Sequence, residues 1–174
     1  MKYEKSCGAV IFRKDTDGWN VLLIRHARGK HISFPKGHME PGELESHTAE
    51  REVLEETGLK VKVDRRYRAE NRYNIRTDIQ KLVVIFAAVT TQKEITPQPE
   101  EIAEAKWYPV EEALGRLTYE RDRKILRAAL VHVEKYYEHR KPKQHAPAPQ
   151  SQPGCWGIMK TAGSVQEPAV CHLR

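Results

Sequence analysis

Gly37–Leu59 reads GHMEPGELESHTAEREVLEETGL, a loop rich in turn residues that runs into fifteen residues, Glu43 to Thr57, free of proline and glycine. Such a segment predicts a helix over Glu43–Thr57, with Gly58 placed to end it in the left-handed conformation that costs glycine least. On a helical wheel with Glu52 at zero, Glu56 falls near about 40° and Glu55 near about −60°, so three carboxylates share an arc of roughly 100°. Ala49 and Val53 fall near about 60° and 100°, which sets the acidic face beside an apolar one. Part of the charge is therefore expected at the edge of the core. Like charges three and four residues apart repel by a few tenths of a kcal/mol per pair. A hard divalent cation, Mg²⁺ or Mn²⁺, is the natural partner for carboxylate oxygens at that spacing, and it completes its shell with water and phosphate. Arg51, four residues before Glu55, is placed to hold that carboxylate. A solvated acidic surface helix would show the same three glutamates.

Outward from this segment, Ser6–Arg13 (SCGAVIFR) and Trp19–His26 (WNVLLIRH) are β-branched, apolar runs joined by a turn at Asp17-Gly18, and predict a β-hairpin. Pro35 to Gly42 is expected to be loop. Val61–Val63, Leu82–Thr90 and Ala105–Tyr108 are expected strands, with the polar 70s between them, in a mixed sheet. From Thr118, the apolar residues Ile125, Leu126, Ala129, Leu130 and Val133 recur at helical spacing and predict an amphipathic helix to about Glu138. Together these predict an α+β domain over residues 1–140. Residues 141–174 turn proline-rich without sustained periodicity, which predicts a disordered basic tail.

Bulk properties narrow the function. The net charge is +6, and residues 141–174 supply half of it, with Lys141, Lys143, Lys160 and Arg174 against Glu167. The remaining excess is too small for a DNA-binding face, although a polyphosphate site would use several cations locally. No apolar stretch approaches the roughly 20 residues of a membrane helix, and Met1–Ser6 lacks the apolar core of a secretory signal, so a cytoplasmic protein is expected. Cys7, Cys155 and Cys171 are too few and too scattered for a disulfide framework or a zinc site.

At every specified position Gly37–Leu59 resembles the Nudix box G-x5-E-x7-R-E-U-x-E-E-x-G-U, U being bulky and aliphatic. Gly37, Glu43, Arg51, Glu52, Val53, Glu55, Glu56, Gly58 and Leu59 take the fixed places. The resemblance extends over residues 3 to 138 and implies the Nudix fold, a mixed sheet sandwiched between helices. It implies metal binding by Glu52, Glu55 and Glu56 with Gly37 beside them, support from Glu43 and Arg51, and a general base at Glu55 or Glu101. Glu101 stands six residues before Trp107, an arrangement that recurs in the family; Trp107 itself is expected in the core with its N–H satisfied. The implied reaction is metal-dependent hydrolysis of a phosphoanhydride in a nucleoside polyphosphate.

Within the family, the form Pro35-Lys36-Gly37-His38, together with CGAVIFR, KLVVIFAAV and PEEIAEAKW, looks most like asymmetric diadenosine tetraphosphate hydrolases, whose products are ATP and AMP. That likeness implies phosphate contacts from Lys36, His38 and Lys81 and adenine stacking on Tyr73. Lys36 and Lys81 would otherwise be solvated lysines, His38 a hydrogen-bonding turn residue and Tyr73 a cross-strand packing partner. Arg25 and His26, at the end of the second hairpin strand, are further phosphate candidates. The alternatives are an RNA 5′-pyrophosphohydrolase, a hydrolase of damaged nucleoside triphosphates, and a Nudix module that binds nucleotides without cutting them. RNA is not favoured, because no clustered aromatic and basic platform accompanies the box.

Overall fold

The computed structural model describes residues 2–137. The expected tail, with Cys155 and Cys171, lies outside the described residues. The expected hairpin is present: β1 (Lys2–Asp15) pairs antiparallel with β2 (Gly18–His26), with Phe12 opposite Val21 and Asp15 opposite Gly18. Gly18 closes the turn at φ 130°, a conformation that strains any side chain. The short strand β3 (Ile32–Ser33) pairs with the far edge of β2.

The segment Pro35–Gly42, expected to be loop, contains a three-residue strand, β4 (Lys36–His38), antiparallel to the first half of β1. Glycine permits this approach. A Cβ on Gly8 would collide with the Pro35 carbonyl and with Lys36. The helix α1 (Glu45–Thr57) begins two residues later than expected and ends at Gly58, φ 72°, whose N–H donates to the Leu54 carbonyl.

The polar 70s form part of a 14-residue strand, β5 (Val63–Arg76), which pairs antiparallel with β6 (Ile79–Val89). Only Val63 of the expected Val61–Val63 strand belongs to it. Its inward positions Tyr67, Ala69, Asn71 and Tyr73 alternate with exposed Arg68, Glu70, Arg72 and Asn74. Period two is present, but with polar residues on both faces it lacks the apolar contrast by which strands are recognised. β6 runs parallel to β1 along eleven paired residues, and β7 (Ile102–Pro109) pairs antiparallel with β2. The result is a mixed seven-stranded sheet with the principal order β3-β2-β1-β6-β5. A short helix not foreseen from the sequence, α2 (Val110–Arg116), and the expected C-terminal helix, α3 (Glu120–Tyr137), complete the fold.

Alternation along the central strands divides the core in two. Cys7, Ala9 and Ile11 of β1, with Val84 and Phe86 of β6, face Ala49 and Val53 of α1. Val10 and Phe12, with Val83 and Ile85, face Ala113 of α2 and Leu126, Ala129 and Val133 of α3. The sheet therefore lies between helices, and each large side chain buried this way contributes about 1.5–3 kcal/mol. Trp107 departs from expectation: it is only half-buried, although its indole N–H does donate to the Lys93 carbonyl at 2.9 Å. Among the described residues no helix is long and apolar enough to cross a membrane.

Candidate active site

Packing Ala49 and Val53 against the sheet leaves the acidic arc of α1 on the rim, alongside β4. Glu56 is turned furthest inward, 2% exposed, and its Oε2 accepts the Lys36 backbone N–H at 2.8 Å. Burial pushes its carboxyl above the usual range, opposed by Lys36 and reinforced by Glu52 and Glu101. Burial also raises Glu52, against the pull of Arg51. The Glu52 carboxylate lies over Gly37 so closely that a Cβ there would run into it. The glycine of the box is thus a clearance for a carboxylate, inside a strand and not at a turn.

Arg51 ties the cluster together. Its Nε and Nη2 clasp both oxygens of Glu43 at 2.8 and 3.0 Å. Its Nη1 donates to Glu52 at 2.8 Å and to Glu55 at 3.0 Å, and Nη2 also reaches the His38 carbonyl. Glu43 further accepts the Thr48 hydroxyl and the Glu40 N–H, and with Arg51 as the chief cause its carboxyl falls to about 2. One guanidinium therefore sets the positions of three carboxylates and of the β4 backbone.

A cavity of about 470 Å³ opens over this rim, and Glu52, Glu55, Glu56, Lys36, Lys81 and Glu101 are among its lining. Glu101 arrives from the residue before β7, and no hydrogen bond reaches its side chain among the described residues. The donor set suits a hard cation in kind: carboxylate oxygens, two of them raised by burial, around a space open to water. Among the described residues no three acidic, histidine or cysteine side chains stand close enough to form a closed ligand set. An ion here would draw part of its shell from water and phosphate, as Mg²⁺ usually does.

The other expected residues divide. His38 lines the cavity but is largely exposed, 3.6 Å from Glu4. His26 lies 3.8 Å from Glu56, and burial, aided by Lys36, lowers its pKa. Arg25 does not join the cavity lining; it pairs with Glu104 across the β2–β7 ladder. Tyr73 stands apart in a second cavity of about 230 Å³, which shares Lys36 and His26 with the first. Phe34, Val83, Ile85 and Ile125 give that cavity apolar surface. Sequence reasoning missed Tyr119 and Arg121 there. The Arg121 guanidinium sits 4.3 Å from the ring centres of both Tyr73 and Tyr119, and their spacing of 46 residues along the chain carries no local signal.

A model of the NUDIX domain matches residues 2–129. Among curated proteins, an 8-oxo-(d)GTP phosphatase of Mycolicibacterium smegmatis is 32% identical over 132 residues, covering 71% of this chain and 40% of the relative. The asymmetrical bis(5′-nucleosyl)-tetraphosphatase of Mus musculus is 30% identical over 119 residues, 63% of this chain and 81% of that protein. The chain thus spans less than half the length of the first relative and most of the second. Among solved structures, a C. elegans Ap4A hydrolase binary complex matches with a TM-score of 0.69 at 24% identity, covering 76% of this chain and 99% of that one. At that identity the likeness speaks for the fold.

Proposed function

The chain belongs to the Nudix family, and from that premise we propose that it hydrolyses a phosphoanhydride bond of a nucleoside polyphosphate, with a dinucleoside tetraphosphate such as diadenosine tetraphosphate as substrate and ATP and AMP as products. The observation that carries this reading is the convergence of Glu52, Glu55, Glu56 and Glu101 with Lys36 and Lys81 on one cavity. Carboxylates suit cations and lysines suit phosphate oxygens, and both line the same space.

Nudix hydrolases generally use divalent cations. In this chain Glu52, Glu55 and Glu56, with the Gly37 backbone, would hold Mg²⁺, which polarises phosphoryl oxygens and lowers the pKa of bound water. Arg51 holds Glu52 and Glu55 in place, with Glu43 as its anchor. Glu55 or Glu101 accepts the proton of the attacking water as its oxygen joins phosphorus and the bridging oxygen leaves. Glu55 is already hydrogen-bonded to Arg51, which weakens it as a base, whereas Glu101 is not so engaged. Lys36, Lys81 and His38 take the phosphate oxygens. Lys36 lines both cavities, so the phosphate chain would run past it towards the second one, where Tyr73 and Tyr119 would flank the base.

The test is product analysis in ¹⁸O water, with diadenosine tetraphosphate and triphosphorylated RNA at matched concentration and Mg²⁺ present or chelated. Mg²⁺-dependent ATP and AMP, with label on one of them, is the expected result. Pyrophosphate release from RNA with the dinucleotide intact would keep the chemistry and overturn the substrate. Turnover of neither would point to a nucleotide-binding module. The similarity to an 8-oxo-(d)GTP phosphatase supports a second reading, a nucleoside triphosphate, so GTP and 8-oxo-GTP belong in the same assay.

A further inference from the structure

A further cavity, of about 280 Å³, opens between the start of α1 and the start of β5 and shares no lining residue with the two already described. Ser46, His47 and Glu50 line it from the helix, and Lys62, Val63 and Arg65 from the strand side. With Glu52 again at zero on the helical wheel, Ser46, Glu50 and His47 fall near about 120°, 160° and −140°, away from the carboxylates of the box. Ser46 is 7% exposed, yet its hydroxyl has no hydrogen-bond partner among the described residues. Nor is that hydroxyl sealed in: among the described residues the Trp19 indole N–H is the buried polar group left without partner or opening, so what remains accessible of Ser46 faces the cavity it lines. A buried hydroxyl turned into an open space is placed to meet a ligand.

Arg65 reaches the same space through an irregularity of the sheet. The β5–β6 register jumps from Asp64 opposite Ala87 to Arg68 opposite Phe86, which leaves Arg65, Arg66 and Tyr67 as extra residues. Bulges at sheet edges re-aim side chains in this way. Arg66 gives its guanidinium to Asp64, whereas Arg65 has no carboxylate partner among the described residues. The neighbouring carboxylates are already engaged: Glu50 accepts Lys62 at 2.8 Å and the Val63 N–H at 3.2 Å, and Glu45 accepts Arg68 and Lys5. Leu44, at the N-cap of α1, offers no side-chain acceptor to the N–H groups of the first turn, the positive end of the helix dipole. The lining thus sets Arg65 and Lys62 against Glu50 alone.

We propose that this cavity is a phosphate-binding site separate from the catalytic one. The Arg65 guanidinium presents two parallel donors to a pair of phosphate oxygens, and Lys62 adds a second positive charge. The Ser46 hydroxyl and a ring N–H of His47 supply hydrogen bonds to the oxygens that remain. A planar carboxylate has only two oxygens and would leave Ser46 unmet, whereas a tetrahedral phosphate has enough for all of them. The site goes beyond the hydrolase reading and uses none of its residues. Free orthophosphate and the phosphate of a nucleotide present the same oxygens to it.

The test is an NMR titration of the ¹⁵N-labelled full chain without divalent metal, with inorganic phosphate in one arm, AMP in a second and sodium chloride at matched ionic strength in a third. The amides of Ser46, His47 and Arg65 are expected to move with saturation at a midpoint on the order of millimolar in phosphate and AMP, and not in chloride. A tighter midpoint for AMP would identify a nucleotide as the source of the phosphate, and an equal or weaker one free orthophosphate. Arg65→Ala, outside the strand ladder, should raise the midpoint about tenfold, as loss of a charge-assisted pair does, while any response of Gly37 and Lys81 in the catalytic cavity persists. If Arg65→Ala fails to fold, Ser46→Ala takes its place, with a rise of about threefold. Shifts that do not saturate, that chloride reproduces, or whose midpoint the substitution leaves unchanged would each overturn the inference.

Discussion

At Gly37 a single methyl group is enough to disturb the candidate site, because its Cβ would occupy the space of the Glu52 carboxylate. Gly37→Ala should therefore displace Glu52 and strain its bond to Arg51 while the buried core, which Gly37 does not join, stays intact. A shift of this kind near reacting atoms costs about 10²-fold in rate. Steady-state kcat with a far-UV spectrum and thermal melt checks it, and a variant with the wild-type rate would remove Glu52 from the machinery. The box residues were readable before folding because their spacing lies within one helix and its leading loop. Arg51 holds more than the i,i+4 partner Glu55 that the wheel suggested. It also reaches Glu43, eight residues back, and the His38 carbonyl, contacts set by where the loop returns. Tyr119 and Arg121 gave no such signal: each is an ordinary residue of its own segment.

Between elements, α1 is fastened to the sheet by Glu45 in its first turn. Glu45 takes two hydrogen bonds from Arg68 of β5, at 2.6 and 2.8 Å, and an ion pair from Lys5 of β1 at 2.7 Å. Arg68 is the chief reason its carboxyl drops from 4.5 to about 2. A carboxyl lowered on folding stabilises the native state above its unfolded pKa, and that contribution is lost as pH falls from about 4.5 towards 2. Solvent screening at this rim keeps it to about 1 kcal/mol. Urea unfolding at pH 6 and pH 3 should show Arg68→Met losing about 1 kcal/mol less than wild type over that interval. Equal losses would mean the link contributes nothing. β5, which supplies Arg68, is also the element that sequence periodicity passed over. Its inward Tyr67, Ala69, Asn71 and Tyr73 alternate correctly, but pairing with β6 over its length, and not hydrophobic contrast, is what makes it a strand.

For the molecule as a whole, every residue lining the two cavities lies between Ser6 and Ile125, and the family model ends at residue 129. Deleting residues 141–174 should then leave kcat and KM within about twofold of the full chain. A tenfold rise in KM would place that segment at the site. What the sequence determined by itself was the acidic helix of the box, the hairpin, the C-terminal helix and the family. These depend on turn chemistry and periodicity within short windows, where the backbone alone decides which residues share a face. What only the tertiary structure decided was the second cavity and its sharing of His26 and Lys36 with the first. Those arise where β3, β5, β6 and the start of α3 meet, and no local rule relates Tyr73 to Arg121 until the sheet has paired and the helix has packed across it.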